Sequence, residues 1–88
     1  MPRYIIERSV PGITRDALHA ASIKSKEALA GMSDVVWIKS YVSEAEGKLY
    51  CEYDAPNPEA IREHARRAGL PADKISEVAL EISPDMFP

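Results

Sequence analysis

Two histidines, one cysteine and a handful of serines are the side chains in this 88-residue chain with the chemistry to bind or to react. His64, in the run Glu63-His64-Ala65-Arg66-Arg67, carries an imidazole that can serve as a metal ligand or as an acid–base group near neutral pH. Its neighbours three and four residues away are Ala60, Ile61, Arg67 and Ala68, so a helix there brings it no second ligand. His19 follows Asp16 by three residues. On a helix the two side chains are neighbours, so together they could hold part of a divalent ion in an open site. Cys51 acts as a nucleophile only beside a base, and His64 is the one candidate for that base. Ser22, Ser25 and Ser40 can line the same small region between a helix and a sheet. Each reading has a plainer alternative: His64 as a half-buried packing residue, Asp16 and His19 as a solvated pair, Cys51 as a small hydrophobe. The chain carries no Gly-rich phosphate loop, no CxxC, no HxxxH and no paired acids at catalytic spacing.

The elements that must position these residues are marked out by prolines and glycines. Arg3 to Arg8 reads as a strand, ended by Pro11-Gly12. A helix follows from Arg15 to about Gly31, with Thr14 as N-cap and Asp16 in the first turn. Its inward stripe is Ala17, Leu18, Ala21, Ser25, Ala28, Leu29 and Met32. Val35 to Ser43 and Lys48 to Asp54 read as a hairpin that turns at Glu44 to Gly47. Asn57 and Pro58 open a second helix that stops at Gly69, with Ile61, Ala65 and Ala68 as its stripe and His64 at the edge of it. Ile75 to Ile82 alternates as a last strand, with Val78, Leu80 and Ile82 toward the helices and Glu77, Ala79 and Glu81 away. The order β-α-β-β-α-β predicts an α+β, ferredoxin-like domain spanning 1–88: a four-stranded antiparallel sheet with two helices on one face.

Hairpin register follows from matching apolar with apolar and opposite charge with opposite charge. Val42 opposite Leu49 puts Ser40 against Cys51, Ile38 against Tyr53, Tyr41 against Tyr50, and Lys39 against Glu52. The helix-side face is then Val36, Ile38, Ser40, Val42, Leu49, Cys51 and Tyr53. The open face carries Trp37, Lys39, Tyr41, Tyr50 and Glu52. The first strand adds either Arg3, Ile5 and Glu7 or Tyr4, Ile6 and Arg8 to it. Aromatics mixed with charges on an open sheet suit a protein interface, so a homodimer through this face is expected.

Composition narrows the function classes. The chain is 45% hydrophobic and 28% charged, ordinary for a globular protein. Its net charge of −3, from 14 acidic and 11 basic residues, argues against nucleic acid as a partner. No apolar run has the length of a membrane span, and no signal-peptide pattern opens the chain. A single cysteine forms no internal disulfide. A reduced, cytoplasmic protein is expected.

The stretches Pro2-Arg-Tyr-Ile-Ile-Glu-Arg8, Trp37-Ile-Lys-Ser-Tyr-Val42, Tyr50-Cys-Glu-Tyr-Asp-Ala-Pro56, Ile61-Arg-Glu-His-Ala-Arg-Arg-Ala-Gly-Leu-Pro71 and Ile75-Ser-Glu-Val78 resemble a family of small bacterial ferredoxin-like proteins. They were once catalogued as a domain of unknown function and are described as nickel-binding and SCO4226-like. The resemblance implies a dimer that binds divalent nickel, with no established reaction. It carries His64 over as a ligand in the matching Arg-Glu-His-Ala segment, and Cys51 as a matching residue in the core. Lys39 stands where some relatives have histidine or glutamate, and a protonated lysine is a poor nickel ligand.

Beside a plain interaction module whose dimer face is its whole purpose, two functions of different class follow. One is a non-enzymatic nickel-binding protein for sequestration or sensing, with His64, His19 and Asp16 as ligands. The other is a small-ligand binder or small enzyme of the dimeric α+β barrel kind. Its pocket would draw on Trp37 or Tyr41 on the open face, or on Cys51, Ser40, Ser25 and His64 beneath the helices.

Overall fold

Strand β1 (Arg3–Ser9) alternates buried and part-exposed residues along its whole length, with Tyr4, Ile6 and Arg8 turned inward. It lies at the centre of a computed structural model that describes all 88 residues. Helix α1 (Arg15–Ala30) follows, then β2 (Val36–Ser43), β3 (Lys48–Asp54), α2 (Pro58–Ala68), β4 (Lys74–Glu77) and a short 3-10 turn at Pro84–Met86. The sheet is four-stranded and antiparallel, in the order β2-β3-β1-β4. This is the α+β, ferredoxin-like arrangement expected from the element order.

Local chemistry sets the helix ends. The Thr14 side chain accepts the Ala17 N–H at the start of α1, and Asn57 accepts the Ala60 N–H at the start of α2. Gly69 closes α2 in the left-handed region, φ 69°, which a side chain would strain. Between β2 and β3, Gly47 has φ 65°, and a Cβ there would lie 2.9 Å from the Pro11 backbone. The basic run on α2 is a solvated face: Arg62 pairs with Glu59, and Arg66 and Arg67 both pair with Glu63.

The core lies between the helices and one sheet face, built on Tyr4, Ile6, Leu49, Cys51, Tyr53 and Ile61. Pairing with β3 settles the parity of β1. Tyr4 sits opposite Tyr53, Ile6 opposite Cys51 and Arg8 opposite Leu49, so Arg3, Ile5 and Glu7 go to the open face. Helix α1 is the lightly seated layer. Ser25 is its one buried residue, and Ala17, expected in its inward stripe, is exposed.

Two expectations need correction. The hairpin register holds from Ser43 to Lys39, but a bulge follows, and Trp37 rather than Ile38 pairs with Tyr53. An inserted residue reverses the side-chain parity beyond it. Trp37 therefore joins the helix-side face, while Ile38 is 40% exposed. The last strand ends at Glu77, not Ile82, and its parity is opposite to that expected. Ile75 packs on the core, Glu77 stands on the helix side opposite Tyr4, and Leu80 and Ile82 are 77% and 68% exposed. The Val78 N–H still bonds Arg3, but the next position on that edge is Pro2, outside β1.

Candidate functional site

His64 is carried inward on α2 by the stripe of Ile61, Ala65 and Ala68, and its exposure is 0%. Its Nε2 lies 3.0 Å from Ser25 Oγ on α1, and its ring stands 5.2 Å from that of Tyr53. Nδ1 is buried without a partner. A proton on Nε2 lets the ring donate to Ser25 and leaves Nδ1 a bare lone pair; the other tautomer leaves an N–H unpaired. Burial pushes the His64 pKa down, the nearby Arg8 charge pushes it further, and Ser25 pulls the other way. Burial and the Arg8 charge thus favour the neutral ring.

Arg8 is the residue that sequence reasoning passed over. It too is 0% exposed. Its Nη1 donates to the Pro71 carbonyl at 2.6 Å, and its guanidinium lies 5.8 Å from the centre of the Tyr53 ring. Nε and Nη2 have no partner. Burial raises the Tyr53 pKa, with Ser25 and Arg8 opposing. The signal that could have found Arg8 is the pairing of β1 with β3. Once Ile6 faces Cys51, the next inward position is an arginine with no acid opposite it.

A cavity of about 220 Å³ opens between α1 and the β2 side of the sheet. Ser25, Trp37, Ser40 and Cys51, four of the expected pocket residues, line it together with Arg8 and Tyr53. The bulge brings Trp37 there, and its indole N–H donates to Ser40 Oγ at 3.0 Å. His64 stands outside the lining, and no hydrogen bond joins it to Cys51. Tyr41 lies on the opposite face, 50% exposed, and donates to Glu52 at 3.1 Å.

His19 and Asp16 are both exposed, on the outer part of α1. His19 shares a surface hollow with Arg15, Ser22, Val42 and Glu44. The structure does not bring His19 and Asp16 to His64, and no group of three His, Cys, Asp or Glu side chains converges anywhere in the chain. One copy thus offers a metal two neighbouring donors at most. The buried site is a poor place for a cation, because Arg8 already puts a positive charge there.

No helix is long and apolar enough to cross a membrane. Residues 4–78 match the family model described as nickel responsive protein SCO4226-like. Among solved structures, the crystal structure of SCO4226 from Streptomyces coelicolor A3(2) is similar, with 32% identity and a TM-score of 0.78. The alignment covers 91% of this chain and 99% of that one. No curated protein matches the chain.

Proposed function

The chain belongs to the SCO4226-like family of nickel responsive proteins, and on that premise we propose that it is a non-enzymatic, cytoplasmic nickel-binding protein that works as a homodimer. The observation that carries this reading is the unequal access of its two imidazoles. His64 is sealed, bonded to Ser25 and set beside a buried cation. An ion arriving from water meets His19 without moving the core. Asp16, one turn earlier, takes part in none of the ion pairs and adds carboxylate oxygen. Nickel accepts imidazole and carboxylate donors and stands above iron and cobalt in the usual affinity order. Water fills the remaining positions. Such a two-donor site binds modestly and exchanges readily, which suits sensing or sequestration.

We put the homodimer contact on the open sheet face, where Ile5, Tyr41 and Tyr50 stand among paired charges. The segment after β4 supports it: Leu80, Ile82, Met86 and Phe87 leave apolar surface in water that a second copy would cover. The open face and α1 are on opposite sides of the sheet. Dimerisation therefore leaves His19 and Asp16 free in each copy, and the stoichiometry is one nickel per chain.

Calorimetric titration of chelator-treated protein tests the assignment. Nickel should bind the wild type and His64→Ala but not His19→Ala. Failure of the wild type to bind, or loss in a folded His64→Ala protein with retention in His19→Ala, overturns it.

A second reading rests on the cavity lined by Ser25, Trp37, Ser40 and Cys51, which has room for a small organic ligand. It is a binding role. A nucleophilic Cys51 needs a base in reach, and His64 is turned to Ser25.

A further inference from the structure

Arg8 is a buried cation with no carboxylate against it. The acids of the chain pair with Arg3, Arg15, Lys48, Arg62, Arg66 and Arg67, never with Arg8. Leaving a charge buried without a counter-charge costs several kcal/mol. A native chain that keeps such a group has a use or a partner for it. The free donors are not scattered. Nη1 is spent on Pro71, while Nε and Nη2, the two without partners, lie on one edge of the planar guanidinium. That edge is the fork that receives the two oxygens of a carboxylate side by side.

We infer that the cavity between α1 and the sheet is a binding site for a small organic monocarboxylate, gripped by the Nε–Nη2 edge of Arg8. This rests on the second reading above, that the cavity admits an organic ligand, and adds the chemistry of that ligand. Leu18, Val42, Leu49, Leu70 and Trp37 line the same cavity as Arg8 and give it an apolar wall that suits a compact hydrocarbon body. The volume of about 220 Å³ is below the ~300–1,000 Å³ of drug-sized sites, so one ring or a short aliphatic chain is the scale. One guanidinium balances one negative charge. A phosphate dianion would leave its second charge facing leucines, and a divalent cation would be repelled.

Arg8 is shielded from solvent, so entry requires the layer above it to part. The cavity opens beside Leu18 and Ser22 of α1, so that is the side from which a ligand would reach it. The occupied site also has a built-in reporter. Arg8 helps to depress the His64 pKa, and a carboxylate on Arg8 cancels that push. The His64 pKa therefore rises when the site fills.

Benzoate and its neutral analogue benzamide test the inference, with calorimetry and Trp37 fluorescence as binding readouts and the His64 ring titrated by NMR. Benzoate should bind about tenfold or more tightly than benzamide, the difference a charge-assisted pair makes, and should raise the His64 pKa. Arg8→Met removes the charge while filling the space, and should erase the preference for benzoate. Equal binding of the two probes overturns the carboxylate inference and leaves the cavity reading standing. Binding of neither overturns both. A preference that survives in Arg8→Met also overturns the inference. Should that variant not fold, the two probes on the wild type decide the matter alone.

Discussion

Ser25 Oγ lies 3.0 Å from His64 Nε2 with both side chains buried, and this bond ties α1 to α2. Since Ser25 is the one buried residue of α1, the bond anchors that helix. Ser25→Ala removes the partner and leaves both ring nitrogens of His64 unsatisfied. The expected loss is about 1–3 kcal/mol of unfolding free energy, read by urea denaturation. An unchanged midpoint would show that the bond holds nothing.

Stability should fall in mild acid through His64. Its folded-state pKa is below the ordinary value of 6.5, chiefly through burial. Below about 6.5 the unfolded chain takes up a proton that the folded one refuses, so ν_U exceeds ν_N and stability drops as pH falls. The contribution is complete above that value and declines until pH reaches the folded-state pKa. Unfolding curves from pH 8 to pH 5 on the wild type and His64→Gln check it. A wild-type slope in that range no steeper than the variant's contradicts it.

The bulge in β2 is held by the Trp37 N–H to Ser40 bond, 3.0 Å long. Ser40→Ala should free the indole, lower stability by about 0.5–1.5 kcal/mol and shift the emission of the chain's one tryptophan to the red. An unshifted spectrum would mean that packing alone seats the ring.

Much of this fold is legible in the sequence because its signals are local. Thr14, Asn57 and Gly69 announce helix ends through their own side chains or backbone freedom, and the structure uses all three as expected. The register from Val42 to Lys39 is legible because apolar and oppositely charged residues can be matched across a short turn. What escapes depends on distant partners. The bulge at Ile38 carries no composition signal, and it alone moves Trp37 to the cavity. The alternation of Val78, Leu80 and Ile82 looks like a strand, yet its partner strand begins at Arg3. In the site, Ser25, Ser40 and Cys51 are legible as neighbours, whereas Arg8 is not. A charged side chain is assigned to the surface by default, and only the pairing of Ile6 with Cys51 turns it inward.

The open sheet face should be the dimer contact. Ile5 stands on its central strand, between Glu52 and Ser76. Ile5→Lys adds a buried like charge to each half of a symmetric interface, and should turn a dimer into a monomer in sedimentation without loss of helix signal. A wild type that is monomeric, or a variant that stays dimeric, removes this face from the assembly.

The most direct test of the nickel assignment is an NMR titration with Ni²⁺, whose unpaired electrons broaden nearby signals. Signals of His19, Asp16 and their neighbours on α1 should vanish first, at one ion per chain, while the His64 ring remains sharp. Broadening centred on His64 and Ser25, with His19 untouched, would contradict it.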